Sequence, residues 1–362
     1  MVGSMERLIP RIREIAQNIY QTESKRKRLA SFLRDVGKET DILSSIETST
    51  LENVRVAGVD GGLSKKSLHG FDCILVRAAA ACFHYKSGKK IGVDYFPSRI
   101  PAPEADVLEA LSDMEWAHFS SIMRQRVEVR TAISALEKLR PDILLMDGSI
   151  VPYYSDRPAR TSNVYKQYAS MLQDVVSLYR ACLDKGVTLA GVIEDSRGVS
   201  YCSLINRDVM SRISHPLAVE MSQLLERTRD TNLLYWMLEK GQRSRIFPYS
   251  EKPDEHPVLR DFVELAKRVN SFYLKTADHD RPIRVDMLAR SDDVIGEADE
   301  LASVLAAISG HHSGYGLPAP LIEADNVAKL SEGEVEDFYS HILSFAGNIP
   351  SVMRLRRDQR PF

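Results

Sequence analysis

Twice in this chain a hydrophobic run delivers one aspartate that is followed at once by small residues. The first is Val54-Arg55-Val56-Ala57-Gly58-Val59-Asp60-Gly61-Gly62, and the second is Ile143-Leu144-Leu145-Met146-Asp147-Gly148-Ser149. Short apolar runs of this kind read as strands of a covered sheet. Each run closes on a carboxylate, and the small residues beyond it let another segment or a phosphate come close. Asp before Gly at a strand end is a common turn, so either run alone signifies little. Together they point to a divalent-metal site suited to phosphate chemistry.

The pattern around these runs is that of an α/β protein. A helix is expected over 5–36, with Leu8, Ile9, Ile12, Ile15, Ile19 and Tyr20 at helical spacing and the basic cluster Lys25-Arg26-Lys27-Arg28 after them. Strands are expected at 54–60, about 72–85 and 91–97, with Ser87-Gly88-Lys89-Lys90 turning the last pair. A long helix from about Glu104 to Leu139, stopped by Pro141, leads to a strand at 142–147. Then come a helix at 163–185 ended by Gly186, a strand at 187–194, helical pieces near 216–240 and 257–270, a strand at 283–288 and a final helix over 319–346. Hairpins first, then alternating strands and helices, predict a mixed sheet flanked by helices. The expected division is an N-terminal helical arm at 1–50, one α/β domain at 51–346, and a basic tail at 347–362.

Composition removes several function classes. With 48 Lys and Arg against 50 Asp and Glu, the net charge of −2 provides no global basic field, so a nucleic-acid partner needs local positive clusters. Lys25 to Arg28 and the stretch Arg354 to Arg360 are the candidates. The four cysteines, Cys73, Cys82, Cys182 and Cys202, form no CxxC pair, which excludes a zinc ribbon and leaves buried reduced thiols as the expectation. No apolar stretch approaches the roughly 20 residues of a membrane helix, so a cytoplasmic protein is expected. The chain lacks a phosphate loop, a dinucleotide fingerprint, a nucleophile elbow and HExxH, and the adjacent His311 and His312 do not share a face.

Glu128 lies in the apolar-periodic part of the long helix, 19 residues before Asp147. That spacing lets the helix finish, turn at Pro141 and return as a strand, so Glu128 can face both aspartates. Three or four such carboxylates can hold Mg²⁺ or Mn²⁺, which activates water and clamps a phosphate. The alternative for Glu128 is an exposed glutamate paired with Arg124 or Arg130. Lys65 and Lys66 are candidate phosphate contacts, and Tyr153, Tyr154 and Arg157 are candidate partners for single-stranded DNA. Glu194-Asp195-Ser196-Arg197 follows a buried strand and reads as a loop turn, with a place bordering the site as the alternative.

The motifs resemble those of the NurA nucleases, a family found mainly in archaea and encoded beside the HerA ATPase. Gly58-Val59-Asp60-Gly61-Gly62 is similar to the family's first motif, with Gly62 where serine is usual; Leu144 to Ser149 matches its Asp-Gly-Ser motif, and Glu128 its helix glutamate. Gly314-Tyr315-Gly316-Leu317-Pro318-Ala319-Pro320-Leu321-Ile322-Glu323-Ala324-Asp325 resembles the C-terminal motif, with Asp325 where histidine is usual. The resemblance spans about 54 to 330. It implies an RNase H-like core with additional terminal helices and catalytic Asp60, Glu128 and Asp147, with Asp325 as a fourth metal ligand. The implied activity is a Mn²⁺- (or Mg²⁺-) dependent 5′→3′ exonuclease and single-strand endonuclease in DNA end resection. The implied assembly is a homodimer docked on a hexameric HerA-type ATPase. Two alternatives stay open: a catalytically impaired repair adaptor of the same fold, motivated by Gly62 and Asp325, and an RNase H-like enzyme acting on RNA or DNA junctions.

Overall fold

The computed structural model describes residues 2–37, 41–109, 111–213, 216, 218–347 and 349. The expected basic stretch Arg354 to Arg360 lies outside the described residues. Helix α1 (Val2–Gly37) and strand β1 (Leu43–Ser45) precede a meander of β2 (Val54–Ser67), β3 (Phe71–Lys86) and β4 (Lys89–Phe96), with β5 (Glu104–Glu109) on the outer half of β3. Next come α2 (Asp113–Leu139), β6 (Ile143–Asp147), α3 (Tyr165–Lys185) and β7 (Thr188–Ile193). Short helices α4 (Ser200–Asp208), α5 (Ala218–Glu226) and α6 (Asp230–Met237) lead to β8 (Gln242–Ser244), β9 (Phe247–Pro248), α7 (Val263–Ala266), β10 (Val269–Leu274) and β11 (Ile283–Leu288). The chain then forms α8 (Val294–Ile308), α9 (Ala319–Ala328) and α10 (Glu332–Ala346).

All the strands join one sheet, in the order β1-β8-β10-β11-β7-β6-β2-β3-β4, with β5 and β9 off this path. The β4-β3-β2-β6-β7 segment has an antiparallel meander on one side and the parallel β2–β6 and β6–β7 pairs on the other. That is the strand order of an RNase H-like core, as expected. On one face, Ala57, Val59, Leu144 and Met146 pack against α2 and α3 through Ile122, Leu136, Tyr168 and Leu178. On the other, Val56, Leu145 and Val285 meet Leu301 and Leu305 of α8 and Leu321 of α9. Covering both faces explains why β6 is apolar at four successive positions.

Several expected boundaries move, each for a tertiary reason. Asp60 does not close its strand: β2 continues through Gly61, Gly62 and the polar Ser64-Lys65-Lys66 because it pairs with β3 from Val54–Tyr85 to Ser67–Asp72. The stretch Glu104–Glu109 is the β5 edge strand, and α2 starts only after Ser112, whose hydroxyl accepts the Glu115 N–H. The final helix is two helices. A capping box at Ser331 and Glu334 starts α10 after the break at Lys329. Only short turns of helix form near 257–266, because Val269–Leu274 is recruited as β10 beside β11, and the 216–240 piece is split into α5 and α6. The N-terminal stripe of α1 stays exposed at Leu8, Ile12, Ile15 and Ile19, while Leu29, Ala30 and Leu33 pack on α4 and α6. Lys25 and Lys27 help seat that end, facing Glu220 and the Trp236 ring, while Arg26 pairs with Glu23 within α1. All four cysteines are buried and free, and among the described residues no helix is long and apolar enough to cross a membrane.

Candidate active site

The parallel pairing of β2 and β6 sets the geometry. Its last rung joins Val59 to Met146, so Asp60 and Asp147 stand side by side one residue further on. Asp60 shares the strand parity of Val56, and Asp147 that of Leu145, so both project toward the face covered by α8 and α9. The two carboxyls are within hydrogen-bond reach of each other. Asp60 is only 7% exposed, and its Oδ1 accepts the Gly61 N–H at 2.6 Å. Asp147 stands at the open end of its strand, where the chain turns through Gly148 at φ +81°. The Ser149 hydroxyl secures that turn by donating to Asp286 Oδ2 at 2.6 Å.

Glu128 comes from α2, on the opposite face, and is 6% exposed, so it is not the exposed glutamate of the alternative reading, although it does pair with Arg124 as that reading had it. It reaches the aspartates because Gly61 has no side chain. A Cβ there would sit 2.5 Å from Glu128 Oε1 and 2.6 Å from its Cγ. Arg124, one turn earlier on α2, places its Nε 3.5 Å from the same Oε1, which has no hydrogen-bond partner. Asp325 approaches from the other side. Helix α9 lies directly on β2, where a Cβ on Gly58 would meet the Pro320 carbonyl carbon at 2.5 Å. One turn beyond that contact, the exposed Asp325 adds its charge to the field at Asp60 and Asp147. It is thus an exposed residue of the second half of α9. The departure at Gly62 has a steric counterpart: a Cβ there would lie 2.3 Å from the Ala328 carbonyl oxygen, so serine needs the end of α9 to move.

Electrostatics mark this cluster as under-neutralised. Burial, then the charge of Asp147, pushes the Asp60 carboxyl up to about 7. Burial lifts Glu128 to about 8 against the pull of Arg124. Asp147 is also raised, first because surrounding protein displaces its hydration, although it keeps solvent access and Arg124 pulls the other way. Glu194, just past β7, is raised by desolvation and by the charges of Asp195, Asp147, Asp280 and Asp325, so it lies within the field of the cluster. Among the described residues, no three His, Cys, Asp or Glu side chains are already gathered tightly enough to hold an ion. The donor set nonetheless fits a hard divalent cation. It is all oxygen, it includes a buried Oε1 without a hydrogen bond, and its carboxyls resist ionising together.

The expected DNA contacts are placed unequally. Lys65 and Lys66 lie beyond the cluster on β2, with their ammonium groups 5.9 Å from the Trp116 ring and 5.0 Å from the Tyr339 ring. Tyr153 and Tyr154 are each 56% exposed, with ring centroids 4.8 Å apart. Arg157 is largely enclosed and bonds Asp261 at 3.1 Å. Sequence reasoning missed Asp286, which is fully buried and also accepts from the Ser271 hydroxyl and from Arg284 Nε. Its signal was an aspartate inside the apolar strand Ile283–Leu288.

The NurA domain family model matches residues 54–330, which is most of the chain. The chain belongs to the NurA family. No curated protein matches it by sequence. Among solved structures it is similar to the NurA nuclease from Sulfolobus solfataricus at 17% identity and a TM-score of 0.58, covering 94% of this chain and 96% of that one. A second NurA structure aligns at 12% identity and a TM-score of 0.54, covering 95% and 99%. A NurA bound to dAMP and manganese aligns at 13% and 0.50, covering 95% and 98%. At these identities the structural likeness speaks for the fold alone. Membership of the NurA family supports a nuclease.

Proposed function

We propose that this NurA protein is a Mn²⁺- or Mg²⁺-dependent deoxyribonuclease that hydrolyses phosphodiester bonds at DNA ends. The observation that carries it is the convergence of Asp60 and Asp147 with Glu128, whose Oε1 is buried without a hydrogen bond. Asp60, Asp147 and Glu128 would hold the cation, with Asp325 as a fourth oxygen donor at the rim. When bound, the ion supplies activation of water and neutralisation of charge on the scissile phosphate. Around it, Asp60 keeps its orientation through the Gly61 N–H, and the Ser149–Asp286 bond holds the turn that aims Asp147. Arg124 offsets the carboxylate charge and would add a cation beside the scissile phosphate. Lys65 and Lys66, neighbours on β2 and so on its opposite faces, would each offer a cation to a DNA backbone.

We further propose, on the family resemblance, 5′→3′ exonuclease and single-strand endonuclease activity in end resection, carried out by a homodimer with a HerA-type hexameric ATPase as partner. The test is cleavage of 5′- and 3′-labelled single- and double-stranded DNA with Mn²⁺, Mg²⁺ or chelator. Metal-dependent release of nucleotides from one end supports the proposal, and chelator-resistant cleavage refutes it.

A further inference from the structure

A cavity of about 380 Å³ opens beside Asp147 and Glu128 and runs inward between α2 and α3. Its floor is apolar, made by Met146, Ile150, Val175 and Leu178. The Tyr249 ring forms one wall. It is fixed by the Arg284 guanidinium 5.2 Å from its centre and by an edge contact with His256. Tyr153 stands exposed at the mouth. At one end, Gln125 Nε2 and the Ser121 hydroxyl both donate to Asp156 Oδ2, at 3.1 and 2.6 Å.

We propose that this cavity receives one unstacked nucleobase, from the nucleotide next to the scissile phosphate. The claim rests on the nuclease reading above and adds the substrate form to it. The volume falls at the small end of ligand sites, roughly 300–1,000 Å³, which suits one nucleoside and not a base pair. A phosphate is disfavoured inside, because the three carboxylates Glu128, Asp147 and Asp156 border the space against one guanidinium, that of Arg124, which is already paired with Glu128. A flat neutral ring gains on both counts: its faces meet Tyr249, Tyr153 and the apolar floor, while its polar edge meets the Gln125 amide and the Asp156 carboxylate. A base can enter only after leaving its duplex partner, so single-stranded or frayed ends are favoured over closed duplex.

The experiment uses single-stranded decamers in which one abasic residue is moved from end to end. Binding is measured by anisotropy with Ca²⁺, and cleavage is measured with Mn²⁺. In the wild-type protein, one abasic position relative to the cut should lower binding and cleavage by roughly tenfold or more, in line with the stacking energy of one base. Tyr153→Ala should shrink that difference to within about threefold, and Tyr153→Phe should retain it, because stacking needs the ring and not the hydroxyl. Tyr153 is largely exposed, so neither change threatens folding. If no position stands out while cleavage is normal, the base pocket is refuted and the nuclease reading survives. If one position stands out in binding but no DNA is cut, the pocket stands and the nuclease reading falls.

Discussion

Replacing Asp60 by Asn should stabilise the metal-free protein, and the gain should depend on pH. Asn keeps an oxygen for the Gly61 N–H and removes the charge. The folded carboxyl titrates at about 7, against 3.8 for the unperturbed group. Below pH 3.8 both folded and unfolded chains hold the proton, so Asp60 costs nothing. As pH rises toward 7 the unfolded chain ionises first, and wild-type stability falls. Above 7 the deficit is complete, about 4 kcal/mol at about 1.4 kcal/mol per pKa unit. At pH 5 less than half of it is present. For a chain of this length, 4 kcal/mol corresponds to about 5 °C in melting temperature. Thermal melts in chelator should therefore place Asp60→Asn about 5 °C above wild type at pH 8 and about 2 °C above at pH 5. Saturating Mn²⁺ at pH 8 should reverse the order, because only the wild type keeps its full ligand set. An equal gain at both pH values, or a wild type that melts higher in chelator, would refute the account of a charge-strained site.

Gly61→Ala should cost about 1–3 kcal/mol of stability, because the added Cβ strikes Cγ as well as Oε1 of the buried Glu128 and the side chain must take another rotamer. Cleavage should fall on the order of 100-fold as Glu128 is displaced; unchanged kcat in a steady-state assay would remove Glu128 from the site. Asp325→Asn should raise the Mn²⁺ concentration needed for half-maximal rate more than it lowers the rate at saturation, and Asp325→His should be tolerated. An unaltered metal titration for Asp325→Asn would leave Asp60, Glu128 and Asp147 as the whole site. Activity should vanish with chelator, and Zn²⁺ should substitute poorly for Mn²⁺ on all-oxygen ligands; robust Zn²⁺-supported cleavage would contradict that donor set.

Much of this molecule is legible in its residues. The two aspartate-bearing runs are parallel neighbours in the sheet, α2 does return through Pro141 into β6, and Gly186 does close α3 in the left-handed conformation. These are local signals, carried by apolar runs, a helix stop and a C-terminal glycine. One missed boundary was local too: Ser331 and Glu334 spell a capping box, masked by apolar periodicity that continues across the break. Other boundaries were not local. Ser64-Lys65-Lys66 has no strand character of its own, and it is extended because β3 offers fourteen successive partners to β2. Likewise, Glu104–Glu109 is helix-compatible by composition and becomes an edge strand because the outer half of β3 needs a hydrogen-bonding neighbour.

The residue types of the candidate site, then, belong to the sequence: aspartates after apolar runs, small residues beside them, a glutamate in a helix. Their convergence belongs to the tertiary structure. Strand parity sends Asp60 and Asp147 toward the α9 face, while Glu128 sits on the α2 face and meets them only through the space Gly61 leaves. Asp325 joins because α9 packs its backbone on Gly58, far away in the chain. Burial, which no single segment specifies, then raises the Asp60 and Glu128 carboxyls and prepares the cluster for a cation. Desolvation and charge crowding arise only when distant segments fill the space around a group, so they could not be read before the chain was folded.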